Sequence, residues 1–315
     1  MRIVGLKMSY GGRFGNVLFK YTNAIIIAWK TGLEYIQLGR HQLFDPIKQI
    51  TVDGLTFLPA DAPLPANGAF LTGDFFDTRP FAPILSSFLT FTRQDEIEHC
   101  RVAREIIRPY LLTWLPCSNS DRFEDELTVH IRSGDIFCSD KPVDSWYRQP
   151  PLAFYTLVIN RLIANGTITR VCLVFEDRGN PCVDALVEFL TEKRIAFRCK
   201  SGTLAEDLSA LIDAHHLVFG YGTFGYAVCR LSIRIKTVHY FAPELGGRYG
   251  LIPGIDQVFS VYDRADGYIK AYEFDGDTIG PGEWRNTPEQ RELMCTYPRE
   301  ALEIEELKPL EGRTK

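Results

Sequence analysis

Between residues 127 and 240 the chain repeats one pattern. Short apolar runs, LTVHI (127–131), RVCLVF (170–175), IAFRC (195–199), HLVFG (216–220) and KTVHY (236–240), alternate with amphipathic stretches at 151–164, 181–193, 204–215 and 223–233. Runs this short and this apolar read as strands buried on both faces, and strands that alternate with helices pair in parallel. Five such strands joined by four helical crossovers predict a doubly wound α/β sheet.

The N-terminus opens in the same way. Residues 2–6 read as a strand, 16–31 as a helix with Val17, Phe19, Ile25, Ile26 and Trp29 among its apolar positions, and EYIQL (34–38) as the next strand. That is a βαβ unit. Residues 45–95 are rich in Pro, Gly and Phe without a clear period, and predict short elements and loops. A helix is expected across 94–114, ending before Pro116. The polar stretch CSNSDRFEDE (117–126) is the candidate linker. A chain of 315 residues suits two domains. The expected division is 1–120, 121–250, and an irregular segment 251–315 packing on both, with an acidic helix near 298–308.

Composition narrows the partners. Hydrophobic residues make up 45% and charged residues 24%, which suits a globular chain with a sizeable core. A formal net charge of -5 argues against non-specific nucleic-acid binding. No apolar stretch reaches the ~20 residues that span a bilayer, so no integral membrane segment is expected. A basic region followed by an apolar signal core is missing from the first residues, and AIIIAW is too short for one. The cysteines at 100, 117, 138, 172, 182, 199, 229 and 295 form no CxxC pair, which makes a structural zinc site an unfavoured reading. They read as reduced thiols of a cytoplasmic protein. The single sequon, Asn165-Gly166-Thr167, decides nothing, and oligomeric state stays open.

Four stretches carry polar groups to the ends of predicted strands. GGRFGN (11–16) joins the first strand to the first helix and puts Arg13 in a glycine hinge. HIRSGD (130–135) ends the first strand of the second domain, the edge where open α/β sheets bind ligands. Arg132 there can offer a planar fork of donors to a phosphate, or can simply pair with Asp135. EDLSALIDAHHLVFGYGTFGYAVCRLS (206–232) runs helix, strand, glycine turn, helix. Thr223 sits where an N-cap would sit, and the helix start behind it is either an anion site or only a capped end with Phe224 in the core. LVFED (173–177) puts Glu176 and Asp177 at a strand end, to hold a sugar or base edge or to remain solvated.

Together these stretches resemble the fucosyltransferase superfamily: the α1,2-, α1,6- and protein O-fucosyltransferases. GGRFGN resembles the family's Gly-Arg-x-Gly-Asn motif, and HIRSGD its His-x-Arg-x-Gly-Asp motif. The stretch 206–232 resembles its C-terminal motif, with order and spacing matching across residues 10–232. Gly222 and Gly225 stand where the family usually has serines, and Val17 replaces the usual Gln, so the donor sugar is left open. The resemblance implies a GT-B-like fold, two Rossmann-like doubly wound domains facing across a cleft. It implies an inverting, metal-independent glycosyltransferase with no cofactor. The donor would be a nucleotide sugar, commonly GDP-fucose, and the acceptor a glycan or glycoconjugate. By the same analogy Arg132 contacts the β-phosphate, His130 and Asp207 hold the guanine, and Gly222, Thr223 and Phe224 line the nucleotide site. Gly12, Arg13, Phe14, Gly15 and Asn16 reach it from the other domain.

The chemistry is consistent with that. Cleaving a sugar–phosphate bond puts new negative charge on a nucleoside diphosphate, which arginine and helix N-termini can stabilise without a metal. The acceptor hydroxyl needs a base. Asp135 and Asp140 follow the HIRSG loop; Asp140 is the favoured base by analogy with the α1,6-type enzymes, and Asp135 fits better as the group that orders Arg132. No DxD-like acidic pair lies on these loops, which leaves Glu176-Asp177 as the one place for a Mg²⁺ or Mn²⁺. Three other readings compete. A dinucleotide-dependent oxidoreductase lacks its G-x-G-x-x-G spacing and its ribose-binding acid here. A non-catalytic glycan-binding protein on a degenerate transferase fold, or a transferase using another GDP- or UDP-sugar, would keep these motifs.

Overall fold

A computed structural model describes residues 2–9, 12–44, 48–76, 93–116, 123–138, 149–220, 222–242, 252–265, 267–270 and 284–307. The chain divides into two compact units. One comprises Met1–Pro116 with Tyr226–Ser232, the other Cys117–Gly225 with Ile233–Lys315. Each holds a mainly parallel sheet flanked by helices, the pair of Rossmann-like sheets expected of a GT-B-like chain. No helix among the described residues is long and apolar enough to cross a membrane.

In the N-terminal unit, β1 (Ile3–Met8) leads into α1 (Phe14–Thr31), β2 (Tyr35–Gln37), β3 (Ile50–Val52), β4 (Leu55–Leu58) and β5 (Ala69–Gly73). The sheet order is β3-β4-β2-β1-β5, parallel except for β3 against β4. Helix α1 is buried on almost every side, from Phe14 to Ala28, so it forms a core helix without a broad solvent face. Gly32 ends it in the left-handed region, its N–H bonded to the Ala28 and Trp29 carbonyls.

The helix expected across 94–114 is broken into three pieces. These are α2 (Arg93–Arg101), a π-helical turn (Val102–Ile107) and α3 (Arg108–Leu111). Pro109 explains the break: it has no N–H to give, and its ring crowds the carbonyl four residues back, so the ladder widens just upstream. Residues Tyr226–Ser232 complete this unit's core. The Arg230 guanidinium is fully buried, forked onto both Glu96 oxygens at 2.6 and 3.3 Å, and lies 4.3 Å over the Phe19 ring. Tyr226 stacks on Phe19 at 5.8 Å.

The C-terminal unit follows the alternation read from sequence. Its elements are β6 (Glu126–Ile131), α4 (Leu152–Ala164), β7 (Arg170–Phe175), α5 (Pro181–Glu192), β8 (Ala196–Lys200), α6 (Leu204–Ile212) and β9 (His216–Phe219). There follow the first residues, Thr223–Gly225, of α7 (Thr223–Leu231), then β10 (Thr237–Phe241), β11 (Gln257–Asp263), α8 (Gly267–Lys270), α9 (Pro288–Thr296) and β12 (Leu302–Glu306). The strand order is β12-β11-β10-β9-β6-β7-β8. In order of appearance this reads 3-2-1-4-5-6 outward from β8, the dinucleotide-fold order, with β12 added antiparallel as the seventh, edge strand. Val129, Ile131, Val158, Val171, Leu173 and Leu186 pack its core, each contributing ~1.5–3 kcal/mol by burial.

The described residues beyond 251 are more regular than expected. They supply β11 and β12 to this sheet, and the acidic helix near 298–308 is a short 3-10 turn (Arg299–Ala301) followed by β12. LEIEE alternates apolar and polar with period two, which suits an edge strand with one face on the core; it runs antiparallel to β11.

Candidate functional site

The order of the C-terminal sheet reverses between β6 and β9, which lie side by side in parallel with His130 opposite Phe219. Their carboxyl ends therefore define the switch point, where such sheets bind ligands. HIRSGD leaves β6 there and GYGTFG leaves β9, so sequence positions 90 residues apart become neighbours. The His130 and Phe224 rings stand 4.8 Å apart at 43°. Burial, and then the Arg132 charge, push the His130 pKa down to about 3, so this imidazole is neutral and serves as a neutral donor or acceptor. The Arg132 side chain is only 18% exposed, and Asp135 approaches it at 3.9 Å, too long for a hydrogen bond.

The loop bearing Arg132 is braced from β7. The Asp177 carboxylate accepts from the Ser133 hydroxyl, from the Gly134 N–H at 3.2 Å and from the Gly179 N–H at 2.8 Å. Asn180 donates its amide to the Arg132 carbonyl at 2.8 Å, and its N–H donates to Ser133 Oγ at 3.0 Å. Burial pushes the Asp177 pKa up, but the Ser133, Gly179 and Gly134 donors outweigh it and hold the carboxyl low. Asp177 is thus engaged in holding this loop. Gly134 is confined to glycine: its φ is +71°, and a Cβ would meet the Glu176 carboxylate at 2.1 Å. Ser133 and Asn180 were missed in the sequence. The available signal was DRGNP, an Asx residue before a proline, which is the start of a helix; Asn180 does cap α5, accepting from the Cys182 N–H.

Asp207 sits in the first turn of α6, behind a capping box formed by Thr203 and Glu206. Burial raises its pKa to about 6; the Gly202 N–H opposes this, and Glu206 and Glu176 add to it. Its Oδ1 has no hydrogen-bond partner among the described residues. Helix α7 begins at Thr223 itself, so the capping place falls to Gly222, whose φ is +126°. At Gly225 a Cβ would stand 2.3 Å from the Phe219 ring, so helix and strand approach too closely there for the serine that the resembling family carries.

The N-terminal unit has its own reversal, between β1 and β5, and GGRFGN lies there. Gly12 and Arg13 are exposed and Asn16 is half-buried, whereas Phe14 and Gly15 are buried. Phe14 packs against Phe44 and His41, so its ring belongs to the unit's core. Sequence reading passed over Lys20, Asn23 and Asp74. The Lys20 amine, almost fully buried, meets Asp74 at 2.7 Å and lies beside Gly12. Asn23 donates to the Phe75 carbonyl and is itself bonded by His99. Phe75 has φ +58°, a strained conformation for a bulky residue. The signal was present in FKYTNAIII: polar residues inside a helix that is otherwise apolar all round. Asp140 lies outside the described residues. Among the described residues, no three His, Cys, Asp or Glu groups stand close enough to hold a metal.

No protein-family model matches the chain, and no curated protein matches it. Among solved structures it is similar to POFUT1 in complex with GDP, at 10% identity and a TM-score of 0.39, over 73% of this chain and 95% of that one.

Proposed function

We propose that the C-terminal unit binds the diphosphate and base of a nucleotide sugar at the β6/β9 switch point, and that the chain is a glycosyltransferase. The observation that carries this is the juxtaposition, at one sheet edge, of the braced Arg132 loop and the start of α7. A guanidinium on a braced loop, at the sheet edge where a helix also begins, suits two linked phosphates, one held by a planar fork and one by backbone N–H groups. It also suits the leaving diphosphate as charge develops on it. Asp207 supports guanine as the base, because a carboxylate with an unused oxygen accepts from the paired N–H donors of a guanine edge.

By resemblance, the donor is GDP-fucose and the acceptor a glycan hydroxyl, with inversion and without a metal. Asp140 or Asp135 would take the proton of that hydroxyl. Arg13 and Asn16 enter this reading through the resemblance alone. Cytoplasmic residence is likewise part of the proposal.

A thermal-shift series with GDP, UDP, ADP and NAD tests it. A ligand selective for the folded chain at about 100 Kd adds ~2.7 kcal/mol of stability, so GDP should raise the melting temperature clearly. A shift with UDP and none with GDP overturns the guanine assignment. A shift with none of the four overturns the nucleotide site, and GDP-sugar binding without transfer or hydrolysis leaves a binding protein.

A further inference from the structure

The stretch TPEQR (287–291) starts a helix. Thr287 accepts from the Gln290 N–H, Gln290 reaches back to the cap, and Pro288 takes the first helical place. This capping box fixes where Arg291, half-buried, stands on α9. Its Nε donates to the Asn286 side-chain oxygen at 2.8 Å, which holds the guanidinium plane. Its Nη2 donates to the Phe137 carbonyl at 3.3 Å and to the Gly179 carbonyl at 3.2 Å. A single nitrogen thus ties the turn after β6 to the loop after β7.

The turn needs such partners. Gly134–Phe137 is a single 3-10 turn, and a turn this short leaves its last carbonyls to be met from elsewhere. Trp284, fully buried, donates its indole N–H to the Ile136 carbonyl at 2.9 Å, and Arg291 takes the Phe137 carbonyl. The Trp284 ring lies 5.2 Å from the Phe137 ring, and the Arg291 guanidinium 5.6 Å from it. The near end of the loop is held separately, by Asp177 on the Gly134 N–H and by Asn180 on the Arg132 carbonyl. The loop is therefore anchored twice, from β7 at its start and from α9 at its end.

We propose that Arg291 is a positioning residue: it sets the far end of the Arg132 loop and, on the nucleotide-site reading on which this inference rests, the affinity for the diphosphate. A loop already fixed loses little freedom when a ligand binds, whereas one released at its far end must be ordered on binding, and affinity falls. Lysine is not an equivalent. Its one nitrogen cannot bond Asn286 through one group and the two carbonyls through another.

The experiment compares the full chain with R291K, R291Q and W284F by amide exchange, melting temperature and GDP titration. The Cys138 N–H closes the turn on the Asp135 carbonyl at 3.3 Å, and the Asn180 N–H bonds Ser133 at the near end. In R291K and R291Q the Cys138 amide should exchange about ten-fold faster while the Asn180 amide keeps its rate. GDP affinity should fall about ten-fold at a temperature where all the proteins are fully folded. W284F, which frees the Ile136 carbonyl but keeps a ring against Phe137, should move both readouts in the same direction. Unchanged exchange at Cys138 overturns the clamp. Exchange that quickens at Cys138 and Asn180 alike, with a lower melting temperature, makes Arg291 a general packing residue and overturns the positioning role. Faster exchange at Cys138 with GDP affinity unchanged overturns its bearing on the ligand. A wild-type chain that never binds GDP rejects the nucleotide reading, and faster exchange at Cys138 alone then still upholds the clamp.

Discussion

Each unit carries a strand–turn–helix where its strand order reverses, and the two places are furnished in opposite ways. In the N-terminal unit the cation at the turn, Lys20, is matched within the fold by Asp74 at 2.7 Å, and Asn23 pins the strained Phe75 turn. In the C-terminal unit the groups spent on bracing are Asp177, Ser133 and Asn180. They hold the loop mainly through its backbone, and Asp135 stands 3.9 Å from the Arg132 guanidinium. The same supersecondary motif ties a buried cation into the fold in one unit and carries a candidate ligand site in the other. The contacts described differ in kind: a carboxylate on the Lys20 amine in one unit, and side chains bonded to the loop's backbone in the other.

Arg132 and Arg13 break this comparison most sharply. Arg132→Ala should cost ~10²–10³ in turnover, the usual price of one preorganised donor to developing charge, with little change in melting temperature. Arg132→Lys should not restore it, because a point charge does not reproduce a fork. Arg13→Ala should lower turnover more than GDP affinity. A folded Arg132→Ala protein with near-normal turnover would sink the transferase reading of this loop.

Lys20→Met tests the other half. It strips the Asp74 carboxylate, itself more than half exposed, of its charged partner and should destabilise the fold by no more than ~1 kcal/mol, read as a lower denaturation midpoint, with GDP affinity unchanged. If GDP affinity falls instead while stability holds, Lys20 serves a ligand and the contrast between the units disappears.

Acid sharpens the comparison further, because both strongly depressed histidines lie in the C-terminal unit. His130 and His239 are each pushed down to about 3, His239 by burial and then by Arg161 and His216. Below about pH 6.5 the unfolded chain takes up protons that these two refuse. Stability is therefore full above that pH and falls as pH drops toward about 3, by up to ~1.4 kcal/mol per pH unit for each histidine. Chemical denaturation between about pH 7 and about pH 4 reads the slope. His239→Phe should flatten it by about one proton's worth.

The smallest effect expected is on nucleotide choice. Asp207, raised to about 6, loses its acceptor charge below that pH, so GDP affinity should fall several-fold between about pH 7 and about pH 5. Asp207→Asn should remove this dependence. An unchanged pH profile in that variant would detach Asp207 from the base.

The alternation across 127–240 was legible because parallel strands buried on both faces leave near-continuous apolar runs, and β6, β7, β9 and β10 follow them closely. The strand β12 was not, since an acidic edge strand shares its composition with a surface helix. Nor was the π-helical turn, which depends on how a helix absorbs one proline in place. At the site, HIRSGD announced Arg132, but Ser133 and Asn180 act through hydrogen bonds from side chain to a distant backbone, which no local pattern encodes. The burial of Phe14 was not legible either, because the motif around it mixes exposed and buried positions in consecutive residues.

The break in chain order at α7 governs how this protein can be made. The N-terminal unit lacks Tyr226 and Arg230 until the ribosome has passed residue 232, although the rest of it ends at Pro116. Those 116 intervening residues (232 − 116) take about 6–23 s to synthesise at ~5–20 residues per second. Throughout that interval Glu96 lacks the guanidinium that buries with it, and Phe19 lacks its stacking partner. The order of synthesis is therefore not the order of completion: of these two units, the one begun earlier is finished only after most of the strands of the other have been made.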